Sequence, residues 1–241
     1  MSLIRMGNVC NPHPLDQPIW NALRTEHHSV ALGNHLAQRY PAAIGPLSGI
    51  ANQDHDSYEA LRTLAGPGGV VALFLEEEPI VPPGWKMIRG GHLNQMILQP
   101  DASLNWTEST ELEGIRQLNP GDVPAMVELA TLTEPGPFAE RTIELGNFFG
   151  FFEDGRLLAM AGQRMHLPDY VEVSAVCTHP DGRRRGLARI LMIKAMQDIL
   201  QRGKTPFLHA FSTNSDAIRV YRDLGFTLRQ TFNLSVLKND L

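Results

Sequence analysis

The segment from Thr178 to Ala188 contains the residues whose types and spacing most clearly predict chemistry. It reads Thr-His-Pro-Asp-Gly-Arg-Arg-Arg-Gly-Leu-Ala, so consecutive arginines and a glycine come just before a long apolar run. The alternating residues before it predict a strand, and the apolar run predicts a helix over residues 187–202. The first N–H groups of a helix lack intrahelical acceptors and attract anions. The segment therefore predicts a phosphate-binding turn between a strand and a helix.

The glycine spacing excludes two common nucleotide-binding motifs. The phosphate loop of nucleoside triphosphatases needs Gly-Lys-Ser/Thr, and the dinucleotide fingerprint needs three spaced glycines; this segment has neither. The pattern that remains is Arg-x-x-Gly-x-Ala at Arg183, Gly186 and Ala188. Downstream, the chain carries Asn214-x-x-Ala217-x-x-x-Tyr221-x-x-x-Gly-Phe. With these two motifs, residues 112–237 resemble the GNAT superfamily of N-acetyltransferases.

The resemblance implies that acetyl-CoA is the cosubstrate and that no metal takes part. It places the pyrophosphate on the amides of the turn, and the pantetheine arm and acetyl oxygen on the amides around Val176 and Thr178. Such preorganised amides stabilise negative charge that develops on a carbonyl oxygen. The residues implied to contact the cosubstrate are Val176, Cys177, Thr178, Arg183, Arg184, Arg185, Gly186, Leu187, Ala188, Arg189, Asn214, Ala217 and Tyr221.

Two residues are candidates for proton transfer. The resemblance places Tyr221 beside the CoA sulfur as general acid; the alternative is a tyrosine packed in the core. Glu172, on the strand before the turn, is the candidate base, with a pKa raised by burial. The alternatives are that Glu172 binds a cationic substrate or pairs with a neighbouring charge. Alternation along the strand puts Cys177 on the face opposite Glu172, so no covalent acyl-enzyme is expected.

The elements around these motifs predict an α/β (α+β) protein. Residues 147–152 and 156–166 flank Asp154-Gly155 and predict a hairpin. Residues 170–177 and 206–211 predict strands, and residues 216–224 predict a helix that leads into a last strand over 227–237. The resemblance implies the GNAT fold, a mixed, mostly antiparallel sheet flanked by helices.

The N-terminal part predicts a second α/β domain. Residues 15–40 predict one or two helices, residues 56–65 another, and residues 70–75, 85–88 and 93–98 predict strands. Residues 100–111 are polar and aperiodic and predict a linker. We therefore divide the chain into domains at residues 1–105 and 106–241. The first is either a degenerate GNAT half, as in glycine N-acyltransferase-like proteins, or an unrelated helical cap.

Composition narrows the class of protein. The 241 residues are 43% hydrophobic and 20% charged, which is ordinary for a globular protein. A net charge of −5 disfavours a nucleic-acid partner, and no apolar run is long enough to predict a membrane span. Cys10 and Cys177 are far apart, and the histidines lack ligand spacing, so the sequence predicts neither a disulfide scaffold nor a metal site. The expected setting is the cytoplasm, as a monomer or homodimer.

The function predicted from these features is transfer of an acetyl group from acetyl-CoA to a primary amine by direct attack. The acceptor is a small amine, an amino acid or a peptide N-terminus. The alternative is a non-catalytic acyl-CoA-binding or regulatory module.

Overall fold

The computed structural model describes residues 13–102, 106 and 113–240, and within them the chain forms five α-helices and two sheets. The helices are α1 Pro18–Arg24, α2 His55–Ala65, α3 Val123–Thr133, α4 Leu187–Gln201 and α5 Ser215–Asp223. The strands are β1 Leu32–Gly33, β2 Ala37–Arg39, β3 Ser48–Ile50, β4 Val70–Leu75, β5 Trp85–Leu98, β6 Ile115–Gln117, β7 Phe148–Glu153, β8 Arg156–His166, β9 Tyr170–Thr178, β10 Thr205–Phe211 and β11 Phe226–Asn239. Among the described helices, none is long and apolar enough to cross a bilayer.

The larger sheet has eight strands in the order β4-β11-β5-β10-β9-β8-β7-β6. Its neighbouring strands are antiparallel except for β9 and β10, which run parallel. Helices α4 and α5 pack on one face of this sheet, while α1 and α3 pack on the other. The predicted fold class, a mixed and mostly antiparallel sheet flanked by helices, is confirmed.

Strands from both parts of the chain share this sheet. Strand β5 lies between β10 and β11, and β4 pairs with the outer edge of β11. The N-terminal part therefore supplies a strand that the C-terminal strands need in order to complete their hydrogen bonding. The division at residues 105 and 106, and the origin of the N-terminal part as a degenerate half, stay predictions.

The predicted C-terminal elements are confirmed, and the N-terminal ones are confirmed in part. The hairpin turns at Asp154 and Gly155, both with positive φ (49° and 77°), as an Asp-Gly turn requires. The prediction of helix across residues 15–40 is wrong beyond α1, because β1 and β2 pair with each other and β2 pairs with β3. The two strands predicted over 85–98 are one, since Gly90 and Gly91 stay in register with β11.

Two sequence predictions fall largely outside the described residues. Cys10 lies there, as do residues 103–105 and 107–111 of the predicted linker. Trp106 is described: its indole N–H donates to the Leu224 carbonyl at 3.2 Å, and its ring packs on the core beside α4. This contact ties the middle of the predicted linker to the end of α5.

Candidate active site

The site opens where β9 and β10 separate. Their parallel register covers only residues 170–172 and 205–207, although both strands continue beyond it. A cavity of about 1110 Å³ lies in this region and is lined by residues of β9, β10, α4 and α5. Because strand N–H groups facing the gap have no neighbouring strand to bond, the gap suits an extended, hydrogen-bonding ligand.

A β-bulge reshapes β9 beside this gap. Met160 of β8 pairs with Cys177, and Gly162 of β8 pairs with Ser174. Between these two pairs β9 advances by three residues while β8 advances by two. Ala175 takes the left-handed conformation, with φ at 52°. Ala175 and Val176 thus fall outside the residue pairing with β8, and the bulge bends β9 where Val176 lines the cavity.

The bulge also corrects the predicted position of Cys177. Val171, Val173 and Val176 pack in the core beside α4, whereas Cys177 packs beside α3. Glu172, between two α4-facing valines, points away from α4, so Cys177 and Glu172 lie on the same face of the sheet. Simple alternation fails because the extra residue reverses the side chains after it. Burial raises the pKa of the Cys177 thiol to about 11, which makes it a poor nucleophile at neutral pH.

The arginine-rich turn has the geometry of an anion site. His179 Nδ1 accepts a hydrogen bond from the Asp181 N–H, so this histidine belongs to the turn, as predicted. Gly186 begins α4 with φ at 75°, and no side chain caps the helix. Among the described residues, no backbone or side-chain acceptor bonds the N–H groups of residues 184–188. Arg183 and Ala188 line the cavity, so the exposed amides lie at its edge.

The three arginines of the turn differ in what they contact. Arg185 pairs with Glu153 at 2.7 Å and lies over the Phe151 ring at 5.4 Å, so its side chain fastens the turn to the β7–β8 hairpin. Arg184 is exposed and has a positive φ of 61°, and it does not line the cavity. Arg183 alone of the three lines the cavity.

Helix α5 brings Tyr221 and Asn214 to the opposite wall. Tyr221 packs against the core beside α4 with its ring edge toward Phe226, and it lines the cavity. Burial raises the pKa of its hydroxyl to about 12, so Tyr221 is protonated at neutral pH. The Asn214 side chain accepts from the Ala217 N–H at 3.2 Å and caps α5, and both residues also line the cavity.

Glu172 is engaged by other residues of the protein. Its carboxylate accepts from Arg164 Nε at 2.7 Å, from Arg164 Nη2 at 2.8 Å and from His209 Nδ1 at 2.8 Å. Glu172 is 1% exposed, and it is not among the residues lining the cavity. Burial alone would raise its pKa, but the Arg164 charge and these hydrogen bonds outweigh burial and lower the pKa to about 2. The expected raised pKa of Glu172 is therefore wrong in direction.

Arg164 and His209 are site residues that sequence reasoning missed. Both line the cavity and cover Glu172. The Gln95 amide nitrogen lies 3.1 Å from His209 Nε2 and donates to the Leu15 carbonyl at 3.0 Å, while its oxygen accepts from Arg229 at 2.9 Å. Since Nδ1 faces a carboxylate and burial lowers the pKa of His209, the neutral Nδ1–H form fits these contacts. A lone arginine in the apolar run of β8 was the available signal for Arg164.

His27 and His166 lie together, away from the residues that line the cavity. His27 Nδ1 lies 2.7 Å from the Tyr40 hydroxyl, and its ring lies 5.3 Å from that of His166. Within the described part of the chain, no cluster of three or more histidine, cysteine, aspartate or glutamate side chains is placed to hold a metal ion.

The chain is similar to several known acetyltransferases. The model of the FR47-like protein family matches residues 148–234, which include β9, the turn and α5. The [ribosomal protein bS18]-alanine N-acetyltransferase of Escherichia coli (strain K12) is 27% identical over 127 residues, covering 49% of this chain and 85% of that protein. A solved structure of a GNAT-family protein from Novosphingobium aromaticivorans is 37% identical, covers 95% of this chain and 100% of that one, and has a TM-score of 0.86. A GCN5-related N-acetyltransferase from Kribbella flavida shares the fold at 15% identity, with a TM-score of 0.62 over 92% of this chain.

The splayed strands, the bulge and the uncapped helix after a glycine turn lie together at one cavity. With a 37% identical relative that the chain covers over its full length, this chain belongs to the GNAT family of acetyltransferases. It is an acyltransferase, and its family uses acetyl-CoA as cosubstrate.

Proposed function

We propose that this protein transfers the acetyl group of acetyl-CoA to a primary amine by direct attack. The observation that carries the proposal is that one cavity joins the three parts this reaction needs. The anion-binding turn, the bulged end of β9 and the Tyr221 ring all border it. Neither a nucleic acid nor a membrane is part of the proposal, and a cytoplasmic monomer or homodimer stays the prediction.

The residues present fit acetyl-CoA. The N–H groups of residues 184–188 and the Arg183 guanidinium would hold its pyrophosphate, because they combine a helix N-terminus with a mobile positive charge. The amides around Val176 and Thr178 would bind the pantetheine arm and the acetyl oxygen in the gap beside β10. Asn214 would add a contact to the arm while it caps α5. When bound, acetyl-CoA supplies a thioester whose carbonyl carbon bonds to the amine nitrogen as the C–S bond breaks.

Tyr221 is proposed as the general acid. Its hydroxyl makes no hydrogen bond to another described residue and is held at the cavity wall by packing of its ring. A pKa of about 12 keeps the proton on the oxygen until a thiolate needs it. The proton lost by the amine would leave through water in the cavity, since Glu172 is enclosed by Arg164 and His209.

Glu172 is accordingly proposed to position Arg164 and His209 rather than to accept the proton itself. Its three charge-assisted or polar hydrogen bonds fix both side chains in the cavity floor. The alternatives of substrate binding and of pairing with a neighbour were left open by the sequence, and the geometry favours pairing.

The experiment is a Tyr221→Phe variant assayed by release of CoA thiol against a panel of amines. Loss of the acid should lower kcat about 100-fold, with acetyl-CoA binding unchanged by calorimetry, because phenylalanine keeps the ring packing. Tyr170→Phe, on β9 but outside the cavity lining, is the matched control. Full activity of Tyr221→Phe at every pH would overturn the acid assignment.

The competing function is a non-catalytic acyl-CoA-binding module. It predicts acetyl-CoA binding without turnover on any amine of the panel. Absence of acetyl-CoA binding would overturn both functions. The E. coli relative is named for acetylating an alanine of ribosomal protein bS18, so peptides beginning with alanine belong in the panel beside amino acids and small amines.

A further inference from the structure

The acceptor side of the cavity is lined differently from the cosubstrate side. Strands β4, β5, β10 and β11 line it on the β10 side of the gap, and Arg164 lines it from β8, beyond β9. We call this part the acceptor lobe; its side chains are Phe74, Arg89, Leu93, Arg164, His209, Phe211, Leu234 and Val236. The walls are apolar, so the few charged groups in them set what the lobe can bind.

Arg164 offers an unused donor in the floor of this lobe. It is 9% exposed, and its Nε and Nη2 atoms donate to Glu172. Its Nη1 donates to no other described residue, and this atom is not fully buried. Because Arg164 lines the cavity, a bound acceptor that reaches its guanidinium meets a donor that no described residue occupies.

Arg89 supplies a second positive charge on the wall. Its guanidinium lies over the Phe211 ring, 5.0 Å from the centroid, and no carboxylate among the described residues pairs with it. Because Glu172 neutralises Arg164 and His209 is neutral, the lobe carries a net positive charge from Arg89.

The negatively charged residues that line the cavity lie outside the acceptor lobe. Glu134 lines it from the end of α3, in a left-handed conformation with φ at 47°. Its neighbour Thr133 also lines the cavity, together with Cys177 at the bulged end of β9. The remaining charged lining residues, Arg183 and Asp216, lie on the cosubstrate side, where Asp216 pairs with Arg219.

We propose that the acceptor is an amine that also carries a carboxylate, as an amino acid does, with the carboxylate received by Arg164 Nη1 and the Arg89 charge. This inference rests on the proposed function and names its substrate class. The ammonium end then points toward Glu134 and the bulge, where the thioester is expected. A polyamine would place its second cation against Arg89, which disfavours it.

The test compares amines with and without a carboxylate, and kcat/KM is expressed per unprotonated amine because the amine pKa differs among them. L-phenylalanine, L-phenylalaninamide and phenethylamine are assayed by CoA release, with spermidine as a polycation. The carboxylate should raise kcat/KM about 10- to 100-fold, the factor expected of a charge-assisted hydrogen bond. Equal or better turnover of the amide, of phenethylamine or of spermidine would overturn the inference.

Variants of Arg89 and Arg164 test whether these two residues cause the preference for a carboxylate. Arg89→Gln should reduce the preference for L-phenylalanine over phenethylamine by about 3- to 10-fold, as expected for an exposed charge. Lys86→Gln, exposed on the same strand but outside the lining, should leave it unchanged. Arg164→Lys keeps the positive charge but removes the planar guanidinium with its several N–H donors, and it should also reduce the preference for L-phenylalanine. If the wild type prefers the carboxylate and neither Arg89→Gln nor Arg164→Lys reduces the preference, the assignment to these arginines is overturned.

The two proposals fail differently. The proposed function fails if acetyl-CoA does not bind or no amine of any class is acetylated. The carboxylate inference fails if amines are acetylated without regard to a carboxylate.

Discussion

The buried pair of Glu172 with Arg164 provides the sharpest prediction. Glu172→Gln keeps the volume of the side chain but removes the negative charge that accepts three hydrogen bonds. It leaves the Arg164 guanidinium, 9% exposed, without a counter-charge. Removing one partner of a buried ion pair costs about 3–5 kcal/mol, so we expect the free energy of unfolding to fall by that amount.

The pKa of Glu172 supports the same magnitude. Folding lowers it from 4.5 to about 2, which corresponds to about 3 kcal/mol. Because the folded-state pKa is depressed, this contribution is fully present above about pH 4.5 and is lost as the pH falls toward 2. The wild type should therefore lose stability across this acid range, and Glu172→Gln should show a smaller loss there.

Urea denaturation followed by circular dichroism, at pH 7 and between pH 3 and 5, measures both effects. The matched control is the double variant Glu172→Met with Arg164→Met, which removes both charges and should recover much of the lost stability. Steady-state rates across pH complete the assay. Neither Glu172 nor Tyr221 titrates between about pH 4 and 11, so the rate should rise with the deprotonation of the acceptor amine itself.

One result would refute this reasoning. Suppose Glu172→Gln has wild-type stability, loses activity about 1000-fold, and removes a titration from the pH profile. Glu172 would then be the general base, and its contacts with Arg164 would have to open in the working enzyme.

Two further predictions concern the cosubstrate turn and the shared sheet. Arg183→Gln should raise the KM for acetyl-CoA about 10-fold, because a charged contact to phosphate is lost. Arg185→Gln should change this KM less than about twofold, since Glu153 holds the Arg185 side chain away from the cosubstrate. Steady-state kinetics compares the two variants, and equal effects would contradict the assignment. A fragment of residues 106–241 lacks β5, so β10 and β11 lose their shared neighbour. We expect it to aggregate or to unfold without cooperativity in circular dichroism and gel filtration, and a folded, active fragment would contradict this.

The C-terminal elements were predictable because their signals are local. Asp154-Gly155 specifies its turn by backbone conformation, and Gly186 allows the left-handed start of α4. The N-terminal elements were less predictable. Strands β1 and β2 form because β1 pairs with β2 and β2 pairs with β3, and short strands carry little periodicity of their own.

Some site residues were likewise predictable from local sequence, and others were not. Tyr221 and Asn214 were placed by motif spacing, and both line the cavity. The carboxylate of Glu172 was placed on its strand correctly, but its partners come from β8 and β10, which no local pattern connects. The surroundings of an ionisable group decide its pKa, so burial without knowledge of Arg164 predicted the wrong direction.

The sequence by itself determined the fold class, the glycine turn before α4 and the family resemblance, because backbone conformation and hydrophobic periodicity depend on neighbouring residues. Only the tertiary structure decided the rest. It set the face of Cys177 through a bulge, enclosed Glu172 between Arg164 and His209, and brought β5 between β10 and β11. These features depend on contacts between residues far apart in the chain, where register, burial and charge are settled together.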